Sequence, residues 1–304
     1  MKYVEEAGFP KGVVNVVTGF GMPVGNTLTA HPLVRRVAFT GGSESARHVV
    51  RNTAENFAQV SLELGGKSPN IVFEDADPES AAMGIIAGIF GASGQSCVAG
   101  SRALLHVDIY DQVLEKLVER VEQIKIGDPL LDDTEMGPLA TEAQLERVKE
   151  YVGIGQAEGG KIVIGGKTPE NTDAGWYFEP TIIELIDHDA RIAQEEIFGP
   201  VLSIIPFKDE EEAIALANGT EYALATGIWT RDVARAHRVA KAVHAGIIWV
   251  NTYRSISPLM PIGGSRLSGH GRESGFDAIY EYTQSKAVWI NTSSEPMPDP
   301  FIMR

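Results

Sequence analysis

Residues 34–66 read VRRVAFTGGSESARHVVRNTAENFAQVSLELGG, and their pattern sets the architecture. Val34–Phe39 is a β-rich apolar run ending in Thr40-Gly41-Gly42. A helical pattern fills Ser43–Phe57, and Val60–Leu64 is a second short run closing at Gly65-Gly66. Strand, helix and strand in that order make a βαβ unit with parallel strands. Upstream, Val13–Val17 reads as a further strand, bounded by Gly12 and the Gly19-Phe20-Gly21 turn. Two or three strands make a poor dinucleotide-binding sheet, so the chain reads as though something preceding it has been removed.

The alternation continues outward. Asn70–Phe73, Arg102–Val107, Lys161–Ile164, Val201–Phe207 and Gly246–Val250 read as strands. Asp77 is a good N-cap and Pro78 a good first residue for a helix over Pro78–Phe90. Further helices are expected over Gln112–Gln123, Thr141–Glu158, Asp209–Ala217 and Val233–Val243. Ser285–Asn291 reads as a last strand, and Pro296-Met297-Pro298-Asp299-Pro300 cannot continue regular structure. The class is α/β with largely parallel sheets.

At 304 residues the chain is long enough for a sizeable core, and two domains are the first expectation. The balance of 43% hydrophobic and 22% charged residues is that of a globular protein rather than a disordered one. A net charge of −15 repels a phosphate backbone, which disfavours general nucleic-acid binding. Cys97 is the single cysteine, so an intramolecular disulfide is excluded. Met1–Glu6 lacks a basic stretch followed by an apolar one, and the apolar window Ala81–Ala92 is too short to span a bilayer. A cytoplasmic protein without membrane partners is expected.

Several segments invite chemistry. Cys97 sits in Gly91-Ala92-Ser93-Gly94-Gln95-Ser96-Cys97-Val98-Ala99-Gly100, between a helix and a strand. A lone cysteine is ordinarily a small buried hydrophobe. Small polar flanks instead let a substrate approach the backbone, where a thiolate is a nucleophile and the Cys97 amide an oxyanion donor. Glu63 lies between two leucines at a strand end. It is either a solvent-facing strand residue or a carboxylate at the sheet edge where α/β sites form, its basicity raised by partial desolvation. Thr40-Gly41-Gly42-Ser43 fronts a helix N-terminus, an arrangement suited to an anion. Glu195-Glu196-Ile197-Phe198-Gly199-Pro200 reads as a rigid turn, and the glycine-rich Pro261–Gly275 as a loop or a site rim. His237 and His244 read as surface features of one helix. No HExxH pair or Cys/His cluster occurs, so a metal is not expected.

Taken in order, Phe39-Thr40-Gly41-Gly42, Leu62-Glu63-Leu64-Gly65-Gly66-Lys67-Ser68-Pro69, Gly94-Gln95-Ser96-Cys97, Glu196-Ile197-Phe198-Gly199-Pro200 and Pro261–Gly275 resemble the aldehyde dehydrogenase superfamily across essentially the whole chain. The resemblance implies a remnant of a Rossmann-type cofactor domain over residues 1–65. It further implies an α/β catalytic domain over 66–266, and a C-terminal return with an oligomerisation strand over 267–304. It implies NAD(P)-dependent oxidation of an aldehyde to a carboxylate, through a thiohemiacetal and a thioester on Cys97. Glu63 would activate water, Glu196 would bind the nicotinamide ribose, and Phe198 would stand beside it. Gly41, Gly42, Ser43 and Leu64 would contact the cofactor (NAD or NADP), and Glu273 would serve in proton relay. A homodimer or homotetramer is implied through Thr283–Asn291.

Gly42 departs from the family pattern, which often has Ser there. The family's N-terminal part, with strands of the cofactor sheet and an oxyanion-hole asparagine, is expected to be missing. Loss of one such donor costs about 10²–10³ in rate, so little dehydrogenase turnover is expected of this chain alone. The rival expectations are a structural scaffold and a cofactor-free thiol esterase. A CoA acceptor in place of water stays open, as does the aldehyde, for which Phe90 and Ile256 indicate only an apolar lining.

Overall fold

A computed structural model describes residues 1–170, 175–185 and 187–302. The quoted βαβ unit forms β1 (Arg36–Thr40) and β2 (Gln59–Glu63), which pair in parallel. The helix between them spans Ser43–Thr53 and stops short of the expected Phe57, where the backbone turns left-handed (φ 53°). Ala46 on its buried side packs with Leu62 and Leu64.

The larger sheet contains β3 (Pro69–Val72), β4 (Arg102–His106), β5 (Lys161–Ile164), β6 (Thr181–Glu184), β7 (Val201–Phe207), β9 (Ala225–Trp229) and β10 (Ile247–Val250). Its order is β10-β9-β3-β4-β7-β6-β5, and only the β5–β6 pair is antiparallel. The central strands are buried along their whole length, as parallel strands covered on both faces must be. Helices Pro78–Ile89 and Tyr110–Val121 cover one face with Ile85, Ile89, Val113 and Leu117. Helices Glu142–Ala157, Glu210–Asn218 and Val233–Ala242 cover the other with Val148, Val152, Ala213 and Val239. Asp77, Thr141, Asp209 and Asp232 each cap a helix through the side chain, which fixes where these helices begin.

Two short pairs complete the topology. β8 (Tyr222–Ala223) pairs with β11 (Ser265–Arg266), and β12 (Gly269–His270) adds antiparallel to β2. The chain beyond residue 266 therefore returns to the edge of the first sheet. No described helix is long and apolar enough to cross a membrane.

Two expected strands are corrected. Val13–Val17 forms no strand, and Val13, Val16 and Val17 are exposed. Ser285–Asn291 likewise forms none, with Val288, Trp289 and Ile290 exposed. β-branched and aromatic residues fit a half-buried pleated surface, and neither segment has a neighbouring strand among the described residues. His244 also departs from expectation: the helix ends at Ala242, so it does not share that helix with His237.

Candidate active site

The site lies where the first sheet faces the loops of the larger one. β1 ends at Thr40 and delivers Gly41-Gly42 to the N-terminus of helix Ser43–Thr53. Gly42, which lines the cavity, caps that helix with no side chain, so no side chain occupies its first amides. β2, in register with β1, ends at Glu63 opposite Thr40. Glu63 is half-buried. Its Oε1 is shielded from solvent and accepts no hydrogen bond from any described residue. Desolvation raises its pKa to about 7. The Glu273 charge adds to the rise, and Arg272 opposes it.

Cys97 arrives by a different route. Helix Pro78–Ile89 ends against Phe90, and the loop that follows holds Ala92 and Ser93 at positive φ (56° and 54°), strained for residues with a side chain. Ser93 Oγ donates to the Gly137 carbonyl (2.8 Å), and Gln95 Oε1 accepts from the Ala140 amide (2.9 Å). Below the thiol, the Tyr253 hydroxyl donates to the Val98 carbonyl (3.0 Å). The loop is thus anchored on both sides, and Cys97 is left exposed. Desolvation in the cleft raises its thiol above the ordinary range. The Val98 amide opposes the rise and the Glu63 charge adds to it. No carbonyl among the described residues accepts from the Cys97 amide.

The third component is Glu196. Gly66 donates its amide to Glu196 Oε1 at 3.1 Å. Desolvation raises the carboxyl above its usual range, opposed by the Gly66 bond, then by Lys67 and Arg147. Phe198, two residues on, is held at φ 60° and stands exposed. Thr40, Gly41, Gly42, Glu63, Leu64, Gly65, Cys97, Glu196 and Phe198 line one cavity of about 370 Å³. Ser43 lies just behind Gly42 as the first helical residue. Glu273 stands behind Glu63, accepting from Ser61 Oγ at 3.1 Å, and does not line the cavity.

Sequence reading missed three participants. Gln144 and Arg147 line the same cavity from helix Glu142–Ala157. Gln144 Nε2 donates to the Ile197 and Phe198 carbonyls (2.8 and 2.9 Å), and Arg147 donates to the Glu196 carbonyl (2.6 Å). On sequence alone they are polar residues of an ordinary helix. The third is Lys67, fully buried, whose Nζ donates to the Ile192 carbonyl (2.7 Å) ahead of Glu196. Burial and then nearby Arg102 pull its ammonium down to about 7. Phe90, by contrast, is a core residue, and Ile256 lines a separate hollow beside β10, so neither reaches this cavity.

A thiol, a poorly solvated carboxylate and a glycine-fronted helix N-terminus in one cavity match an acyl-transfer site beside an anion-binding cofactor site. The model of the aldehyde dehydrogenase family matches residues 1–288. The chain belongs to that family. It is 53% identical, over all of its own length, to (Z)-2-((N-methylformamido)methylene)-5-hydroxybutyrolactone dehydrogenase of Acinetobacter baylyi, of which it covers 62%. It is 44% identical to the betaine aldehyde dehydrogenase of Brucella anthropi, with 97% of this chain and 61% of that one aligned. Among solved structures, PnpE in complex with nicotinamide adenine dinucleotide superposes with a TM-score of 0.93 at 46% identity. That match covers 97% of this chain and 61% of PnpE. The PnpE of Pseudomonas sp. WBC-3 aligns at 0.94. The chain spans about three fifths of the length of the relatives it matches.

Proposed function

We propose that this chain carries the acyl-transfer centre of an NAD(P)-dependent aldehyde dehydrogenase, with Cys97 as nucleophile and Glu63 as base. The single cavity that gathers Cys97, Glu63 and Glu196 carries the reading. The residues present fit a dinucleotide. The uncapped amides behind Gly41-Gly42 and Ser43 suit a pyrophosphate. The Glu196 carboxylate, fixed by Gly66, suits a ribose diol, with Leu64 and Phe198 beside it. When bound, the nicotinamide supplies the hydride acceptor that no side chain can provide.

The chain's own residues do the rest. The Cys97 thiol loses its proton to solvent, the thiolate adds to the aldehyde carbon, a C–S bond forms, and the carbonyl π electrons move onto oxygen. The Cys97 amide, which no described carbonyl engages, is a donor available to that oxyanion. Loss of the aldehyde hydrogen with its electron pair leaves a thioester. Glu63 then takes a proton from water, whose oxygen attacks the acyl carbon. The C–S bond breaks, the thiolate departs, and a carboxylic acid is released.

The test is ester and aldehyde turnover with and without NAD or NADP. Cys97→Ala is expected to abolish both activities. Ester turnover that survives in Cys97→Ala would overturn the reading.

The exposed Val288-Trp289-Ile290 run is a liability on a free chain. We assign it to pairing with another subunit in a homodimer or homotetramer. An aldehyde substrate, a cytoplasmic location and the segment boundaries near residues 65 and 266 belong to the same reading.

A further inference from the structure

We propose that Arg36 is a positioning residue for thioester hydrolysis: through Ser61 it fixes the Glu273 carboxylate behind Glu63. The inference rests on Glu63 being the base. Arg36 opens β1, directly opposite Gln59 of β2. Its guanidinium reaches across the sheet and donates to Ser61 Oγ (2.8 Å) and to Glu281 Oε2 (2.8 Å), while the Tyr282 ring lies 4.4 Å from Cζ. Ser61 is 1% exposed and donates to Glu273 Oε1 at 3.1 Å.

The direction of this chain of bonds is fixed by chemistry. Arginine has only donors, so the Ser61 oxygen must accept from it. A hydroxyl has one hydrogen, and with the guanidinium on its oxygen that hydrogen is committed to Glu273. The relay therefore runs Arg36 to Ser61 to Glu273, and each member orients the next.

The backbone is built around it. β12 runs antiparallel to β2, with Gly269 opposite Glu63 and His270 opposite Leu62. Gly271 then passes beside Ser61 at φ +87°, where a Cβ would lie 2.7 Å from Ser61 Cβ. A side chain there would push apart the two residues that need to touch. Ile262 and Glu273 exchange two backbone hydrogen bonds (2.7 and 2.8 Å), which pins the Glu273 main chain. Only its carboxylate remains to be held, and Ser61 holds it.

Glu63 is faced by Glu273 and Arg272 from the turn after β12, by Cys97 and Glu196 across the cavity, and by Arg36 and Glu281 behind Ser61. Glu273 is the like charge among its immediate neighbours. A like charge held close makes a carboxylate keep its proton to higher pH. Releasing Glu273 therefore lets Glu63 ionise earlier. Glu281 and Tyr282 lie at the root of the 283–291 segment, so the same guanidinium ties that segment to the strand bearing the base.

The experiment acetylates Cys97 with an activated ester and follows loss of the acetyl group by intact mass as a function of pH. In Arg36→Met and in Ser61→Ala the rising limb should move to lower pH by ~0.5–1 unit, in the same direction as in Glu273→Gln. Arg36→Lys keeps one donor for Ser61 and should show a smaller shift. Simple structural damage slows the reaction at every pH without moving the limb. A limb within about 0.2 unit of wild type in folded Ser61→Ala overturns the proposal. Ser61→Ala decides the question if Arg36→Met does not fold. If Glu63→Gln leaves the wild-type limb intact, the assignment of the base fails, and this proposal with it.

Discussion

The Gly66 amide donates to Glu196 Oε1 at 3.1 Å, so the segment that ends β2 at Glu63 also grips the carboxylate across the cavity. The neighbouring Gly65 has no room for a side chain, since a Cβ there would lie 2.0 Å from Glu196 Oε2. Gly65→Ala must displace Glu196. Cofactor affinity should fall roughly tenfold, the scale of one charged hydrogen bond lost. Equilibrium titration with NAD and NADP checks this, and undiminished affinity counts against Glu196 as the ribose ligand.

Glu63 holds its proton up to about pH 7, well above the ordinary carboxylate range, mainly through desolvation. The folded chain binds this proton more tightly than the unfolded chain does. Its contribution to stability is therefore complete below the unfolded carboxylate range and is lost as pH rises through about 7. Glu63→Gln removes the cost of a buried charge. Its melting temperature should exceed that of wild type at alkaline pH and converge with it in mild acid. The same substitution should prolong the Cys97 thioester. Melting curves across pH that stay parallel for the two proteins would contradict the origin assigned to the shift.

Arg102 is a structural cation beneath the site. It is 1% exposed and donates to the carbonyls of Lys67 (2.7 Å), Leu216 (2.8 Å) and Ala217 (2.9 Å). Desolvation draws it down to about 9, yet its donors are committed to these three carbonyls. Arg102→Met should cost ~3 kcal/mol or more, because it leaves buried acceptors unpaired. Denaturant unfolding of the variant measures this. A loss below about 1 kcal/mol would show that the carbonyls find other donors.

Trp289 is 96% exposed, between Val288 and Ile290. If this run pairs between subunits, Trp289→Asp should shift the light-scattering mass toward the monomer. An assembly that keeps its mass places the interface elsewhere.

The sequence was legible where its signals were local. Lys161–Ile164 and Val201–Phe207 fall at the expected limits, because Gly159-Gly160 and Gly199-Pro200 punctuate them. Asp77-Pro78 marks the start of its helix through a cap that the side chain makes. The strand Ala225–Trp229 escaped notice, since Gly227 interrupts its apolar pattern. That glycine is required by Asn70 Oδ1, which a Cβ would approach to 2.4 Å. Val13–Val17 shows the opposite error, with residues suited to a strand and no strand beside them. Cys97, Glu63, Glu196, Phe198 and Gly41-Gly42 were singled out by motifs, and the fold brings them into one cavity. Gln144, Arg147, Lys67 and Arg36 were missed because their roles lie in bonds to distant backbone or side-chain atoms. Spacing along the chain carries no trace of such bonds.

In the proposed mechanism, sulfur 97 and carboxylate 63 act on one carbonyl carbon. Peptide mass spectrometry after brief exposure to an activated ester checks this. The expected result is one acyl group on the peptide containing Cys97, transient in the wild-type chain and long-lived in Glu63→Gln. An unmodified Cys97, or an adduct with the same lifetime in both proteins, would contradict it.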